Sequence, residues 1–161
     1  RPTRFTSLAP LCSPLPPERL AHCRHGATAA HGDTVEVAIS DGDGVPCRSC
    51  LKVTPKGTPF LILSHLSFEG QTAYTETGPI FLCEDCAGTA PSSTLPDILT
   101  APTYIVRGYS ADERIVYGTG QVTLTANIAR YAENLLARDD IAFVDVRSAS
   151  NNCFLCRVKP D

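Results

Sequence analysis

The chain has 161 residues, 19% of them charged, with a net charge of −3. That length makes one ordinary domain, or one domain with a small appendage, and buries roughly 70% of the unfolded surface, enough for a true core. The charge balance argues against a nucleic-acid coat, a polybasic membrane binder or a disordered acidic tail. No apolar stretch approaches the ~18–20 residues that span a bilayer as a helix.

Residues 1–33 are rich in Pro, Ala, His and Thr, and Pro10, Pro14, Pro16 and Pro17 break any long helix there. They read as an N-terminal arm, with room for a short helix over 18–24, ahead of a single cysteine-rich domain over 34–161. From Thr34 the pattern is that of strands. Val35, Val37 and Ile39 alternate with polar or small residues, the period of a half-buried strand. Asp41-Gly-Asp-Gly44 is a turn. Phe60-Leu-Ile-Leu-Ser-His65 is a short continuous apolar run that predicts a buried strand, and Ile80-Phe-Leu82 predicts another. Residues 87–102 are a loop dense in Pro, Thr and Ser. Over 103–109, Tyr104, Val106 and Gly108 alternate with Ile105, Arg107 and Tyr109. Residues 114–117 and 121–124 predict a hairpin across Gly118-Thr-Gly120. Thr125 is a candidate N-cap for a helix over 126–138, whose Ile128, Ala129, Ala132, Leu135 and Leu136 make one apolar stripe. Strands over 141–146 and 153–158, joined through 148–152, complete the pattern. The expected fold class is α+β, a mainly antiparallel sheet with that one principal helix packed on one face.

Cysteine is the compositional anomaly, with eight in a chain that has no Met and no Trp. Six of them form three C-x-x-C pairs, Cys47/Cys50, Cys83/Cys86 and Cys153/Cys156, where chance at this frequency gives about 0.4. Two intervening residues let the backbone curl until both sulfurs converge, and zinc takes four such ligands in a tetrahedron. Cys47, Cys50, Cys83 and Cys86 are therefore the candidate ligands of one structural Zn²⁺, across a loop longer than that of a simple zinc ribbon. Cys153 and Cys156 are further candidate ligands. Residues three apart on a strand face opposite sides, so both reach one ion only if the strand bulges or begins later. Cys12 and Cys23 stand near His22, His25 and His31. A second metal site there competes with the preferred reading, scattered side chains on an arm.

Two other chemistries fit paired cysteines. A thiol-dependent redox or hydrolytic enzyme would use Cys47 with Arg48, since a reactive thiolate needs a nearby cation. Glu84 and Asp85 oppose such activation at the second pair, and the strand–C-x-x-C–helix order of thioredoxin is missing. A disulfide-stapled secreted binding domain is the third reading. Arg1-Pro-Thr-Arg-Phe5 lacks the apolar centre of a signal peptide and no Asn-x-Ser/Thr acceptor occurs, so a cytoplasmic location with reduced thiols is expected. Asp41-Gly-Asp-Gly44 fails as a calcium loop, because Val45, Pro46 and Lys52 stand where an acidic residue, a glycine and a glutamate are needed. Arg48, Arg107 and Arg147 are candidate anion-binding cations. No nucleic-acid or membrane partner is expected, and no residue pattern identifies a catalytic group or a substrate.

Four blocks occur in order: Val45-Pro-Cys-Arg48 with Cys50-Leu51 and Thr54-Pro-x-Gly57; Ala73-Tyr74 with Gly78-Pro-Ile-Phe81; Leu95-Pro96 with Val106-Arg-Gly-Tyr109; and Val144-Asp-Val-Arg147 with Cys153-Phe154 and Arg157. Over residues 34–159 this order resembles a bacterial domain-of-unknown-function family, the one numbered twelve hundred and three. The resemblance implies a small bacterial protein with no assigned activity. It carries over Cys47, Arg48 and Cys153 as positions that match the family's motifs. Cys50, Cys83, Cys86 and Cys156 are less regular in that pattern. The resemblance thus implies either a metal-binding branch of the family or a separate role for Cys47 and Cys153, as a thiol site or a disulfide.

Overall fold

The computed structural model describes residues 10–16, 18, 21, 24 and 29–161. In chain order its elements are β1 (Leu11–Ser13), β2 (Glu36–Ile39), β3 (Pro59–Leu66), β4 (Thr77–Cys83), β5 (Thr103–Tyr109), β6 (Gln121–Leu124), a 3₁₀ turn (Thr125–Asn127), α1 (Ile128–Leu136), β7 (Phe143–Ser148) and β8 (Phe154–Lys159). They make two antiparallel sheets, one ordered β1-β8-β7-β5-β6 and the other β2-β3-β4. The class is α+β, mainly sheet, with α1 over one face of the larger sheet.

β7 carries the logic of the larger sheet. Its sequence Phe-Val-Asp-Val-Arg-Ser alternates apolar and charged residues, yet Phe143 to Arg147 are all buried. Val144 and Val146, with Val106 and Val158, pack under Ile128, Ala132 and Leu135 of α1. Burying each such aliphatic side chain stabilises by roughly 1.5–3 kcal/mol. Gly108 in β5 is required by close approach, since a Cβ there would stand 2.9 Å from Ile141 Cδ1.

The other face of the larger sheet turns charged residues toward the smaller sheet. Asp145 pairs in register with Arg157 on one side and Arg107 on the other. Arg157 grips the fully buried Asp145 with Nε–Oδ1 2.7 Å and Nη2–Oδ2 3.1 Å. Its Nη1 donates to the Ser67 carbonyl just past β3, at 2.8 Å. Its guanidinium lies 3.9 Å from the Phe143 ring centroid. Arg107 and Arg147 both reach Glu76, the residue before β4. Guanidinium groups, with Phe143 stacked on Tyr109 and Phe68 edge-on to it beside them, thus join the two sheets.

Several expectations need correction. Thr125 does not cap α1. It opens the 3₁₀ turn and gives its hydroxyl to the Ala101 carbonyl, and the helix proper starts at Ile128 with no side-chain cap. Residues 114–117 are not a strand. Only Ile115 bridges to Tyr109, and β6 pairs with β5 instead, because β5 offers the longer continuous edge. β2 forms, but as the outer strand of a three-stranded sheet, so Val37 and Ile39 are 60% and 64% exposed. Leu11–Ser13 adds to the edge of the larger sheet against β8, a pairing between chain ends that local pattern does not register. The helix expected over 18–24 falls largely outside the described residues. Among the described residues no helix is long and apolar enough to cross a membrane.

The Asp145–Arg157 pair gives a stability test. Asp145→Ala leaves a guanidinium buried without its carboxylate, and removing one partner of such a pair costs about 3–5 kcal/mol. Thermal unfolding should fall by roughly 10 °C. A loss under about 1 kcal/mol in denaturant titration would show that the aromatic rings and the Ser67 carbonyl suffice.

Candidate metal centre

The first cysteine pair stands on a closed loop. Thr54 N–H donates to the Val45 carbonyl, Cys47 N–H to Lys52 and Leu51 N–H to Cys47, each at 2.8–2.9 Å. The loop docks on β4 through a parallel bridge between Cys47 and Phe81, with Arg48 N–H on the Phe81 carbonyl at 3.1 Å. Closing it puts Leu51, directly after Cys50, at φ 55°, where glycine is usual. Such a residue costs of order 1 kcal/mol. The Leu51 side chain offsets that by burying itself in the main core.

The second pair ends β4. Cys83 is the last residue of the strand, and the turn after it brings Cys86 back beside Cys47. Gly88 takes φ 74°, and a Cβ there would press to 3.3 Å on Ser49 Oγ of the first loop. The two turns therefore abut through backbone and small side chains.

The result is one cluster. The ligand atoms of Cys47, Cys50, Cys83 and Cys86 all lie within 4.8 Å of one another. Cys47 and Cys86 are 3.9 Å apart, sulfur to sulfur. A tetrahedral ion with metal–sulfur bonds of about 2.3 Å separates its ligands by about 3.8 Å. Cys47 and Cys83 are buried, Cys50 and Cys86 half-buried. Polar groups converge on the sulfurs. Ser49 N–H and Cys83 N–H donate to Cys47 Sγ at 3.4 and 3.2 Å. Thr54 Oγ1 stands 3.4 Å from Cys83 Sγ, and Ser49 Oγ 3.5 Å from Cys86 Sγ. Arg24 donates through Nη2 to Cys86 Sγ at 3.1 Å and to the Cys83 carbonyl, and through Nη1 to the Cys86 carbonyl.

Without a cation, the four thiols titrate apart. Burial pushes Cys83 up to about 11 and, with Cys47 beside it, raises Cys50 further still. At Cys86 burial is outweighed by Ser49, the Gly88 N–H and Arg24, which together bring the thiol down to about 7. Arg48 lies behind the first pair, almost wholly buried. It donates through Nε to the Phe154 carbonyl at 2.9 Å and through Nη1 to the Pro46 carbonyl at 2.7 Å. Burial lowers it to about 10, against the opposing pull of the Cys153, Cys47 and Cys156 sulfurs.

The third pair stands outside the cluster. β8 begins only at Phe154 and bulges opposite Val146 and Arg147, yet Cys156 turns into the core beside Cys12. Cys153, half-buried, lines a cavity between the sheets. Arg107 and Arg147 face that cavity's side of the molecule through Glu76, away from the cysteine cluster, and Arg48 lies between the two regions. His31 is exposed, with its N–H on Ser64, while Cys23, His22 and His25 lie outside the described residues. Arg24, Ser49 and Thr54 escape the sequence reading. The first is 59 residues from Cys83, and nothing local announces it.

The split in thiol acidity predicts an order of reaction in metal-free protein. Cys86, lowered to about 7, is about half thiolate at pH 7, and its rate should fall about tenfold for each pH unit below that. Cys50 and Cys83, both raised, stay protonated to well above pH 8. A short iodoacetamide pulse at pH 7 followed by peptide mass mapping should label Cys86 ahead of both. Faster labelling of Cys50 or Cys83 would contradict the geometry around Cys86.

The chain matches a family described as proteins of unknown function, DUF1203, over residues 44–159. No curated protein and no solved structure matches it. The matched span contains both cysteine turns, Arg48, Cys153 and the whole of the larger sheet except β1. It leaves Arg24 outside. The chain belongs to the DUF1203 family.

Proposed function

We propose that the protein binds one structural Zn²⁺ through Cys47, Cys50, Cys83 and Cys86, and that the ion clamps the 46–53 loop to the end of β4. The observation that carries this reading is the approach of all four sulfurs to within 4.8 Å. Thiolates in a tetrahedral array are the ligand set of zinc or of iron. The backbone N–H groups aimed at Cys47 Sγ favour a thiolate there. A divalent ion with four thiolates keeps two net negative charges, and Arg24 and Arg48 are the two cations placed to offset them. Four thiolates leave no open position for a water, so the reading is structural and assigns no hydrolysis to the ion. It also suits Cys47 better than a role as nucleophile, because that residue is fully buried and Arg48 commits two of its nitrogens to carbonyls.

Elemental analysis of protein purified without chelator should find about one zinc per chain. A value below about 0.3, with thiols free, overturns the proposal, and a coloured protein carrying iron reassigns the ion. Cys83→Ser should lose the metal and lower the unfolding temperature, as chelator should in the unmodified chain. Arg24→Ala keeps all four ligands but removes a donor to Cys86, so extraction by chelator should run about tenfold faster. Unchanged extraction would remove Arg24 from the centre.

A further inference from the structure

A second feature is independent of the cysteine cluster, since none of the four cysteines lies on the strands that form it. Each sheet ends in two outer strands, and an outer strand offers unpaired backbone N–H and C=O groups to any extended chain. Three of the four are blunted. β1 lies between Pro10 and Pro14, and the N–H and C=O of Cys12 are already exchanged with Ser92. β4 contains Pro79, and the 46–53 loop docks on it at Phe81. β2 carries Glu36, with Asp33 and Asp41 just beyond its ends. β6 has none of these devices. Residues 115–129 hold neither a charged residue nor a proline. The pairing of β6 with β5 runs without a bulge, and no second strand among the described residues pairs with it.

The register shows which groups that edge presents. Thr125 N–H donates to the Pro102 carbonyl at 3.0 Å, and these two residues continue the β5–β6 register by one step. Hydrogen-bonded pairs alternate in an antiparallel ladder, so Gln121 and Thr123 also face β5. Val122 and Leu124 then turn their N–H and C=O outward. The same two residues carry the exposed side chains, Val122 at 65% and Leu124 at 58%, both on the Ile105 face of the sheet. Thr123 between them points to the other face and is buried.

This pattern answers itself. A strand laid antiparallel on β6 completes the ladder if it sets outward-facing, apolar residues opposite both Val122 and Leu124. β6 of a second copy, turned about a two-fold axis at Thr123, does so. Val122 meets the partner's Leu124 and Leu124 meets the partner's Val122. Each such pair exchanges two backbone hydrogen bonds, and the four apolar side chains gather on one face. No charge on β6 opposes the approach. α1 lies over β5 and β7, which leaves the seam clear of the helix.

We propose that the protein forms a two-fold symmetric dimer by antiparallel pairing of β6 with β6 of a second copy, which joins the two larger sheets into one continuous sheet. Two short strands make a small interface, of the weak and reversible kind.

Sedimentation velocity on the purified protein tests this, with reductant present so that no intermolecular disulfide contributes. Monomer is expected at about 1 µM and dimer at about 200 µM. Amide hydrogen exchange at Val122 and Leu124 should slow at the higher concentration, because theirs are the N–H groups the partner would take up. Val122→Lys combined with Leu124→Lys sets like charges against each other and should leave a monomer at about 200 µM. Both side chains are exposed, so the unfolding temperature of the dilute protein should stay within a few degrees. Val122→Glu with Leu124→Glu should also be monomeric, and an equimolar mixture of the two double variants should sediment as a dimer, because each lysine then faces a glutamate. A monomer at about 500 µM in the unaltered chain, a dimer whose Val122 and Leu124 amides exchange as fast as the monomer's, a dimer that survives either double substitution, or a mixture that stays monomeric would each overturn the proposal. The exchange measurement uses the unaltered chain and stands even if a double variant folds poorly.

Discussion

Four sulfur atoms within 4.8 Å of one another impose the strongest local constraint in this molecule. They cannot all ionise without a cation among them, because like charges at that distance in a partly buried site repel strongly. The metal-free cluster meets the constraint by dividing its thiols, with Cys86 made acidic by its donors and Cys50 and Cys83 held protonated by burial. A bound divalent ion would meet it differently, by drawing all four into one charge state. Both solutions need the same scaffold. The 46–53 loop must close tightly enough to bring Leu51 into a left-handed conformation, and β4 must end at Cys83.

The cluster also decides how the smaller sheet is covered. Leu61, Leu63, Ile80 and Leu82 form one buried cluster with Cys47, Cys83 and Ala29, so the cysteine turns share in burying the smaller sheet. The outer strand β2 keeps Val37 and Ile39 exposed. A three-stranded sheet has modest independent stability, so an ion bound by the four cysteines would stabilise its edge.

Between the sheets the arrangement is unusual for a core. Arg107, Arg147 and Arg157 meet Glu76 and Asp145 there, among aromatic rings. An interface of guanidinium groups is directional where an aliphatic one is not. Each fork must find its carboxylate or carbonyl, which fixes the angle between the sheets more sharply than packing alone. The non-glycine residues with positive φ among the described ones are Leu51, Glu113 and Asn152. Leu51 closes a cysteine loop, Asn152 lines the smaller inter-sheet cavity and Glu113 lines a larger neighbouring one that shares His65 and Phe154 with it. Among the described residues, positive φ at non-glycine positions thus occurs at a cysteine turn and at the junction of the sheets.

Much of this was legible from residues alone. Alternation located β5, the apolar run over 60–65 located β3, the stripe Ile128–Ala132–Leu135 located α1, and strands were expected where β7 and β8 form. Those signals are local, because a side chain's face follows from its position in the period. The excess of C-x-x-C pairs singled out Cys47, Cys50, Cys83 and Cys86, since the turn that brings two sulfurs together spans only four residues. Tertiary structure decided the rest. Which pairs meet, that Cys156 turns toward Cys12 and away from the cluster, and that Arg24 reaches Cys86 all depend on segments tens of residues apart. The charged residues of β7 read equally well as solvent-facing. Only the second sheet, folding over them and meeting Arg157 and Glu76, makes Asp145 and Arg147 interior, because burial is a property of what covers a strand rather than of the strand itself.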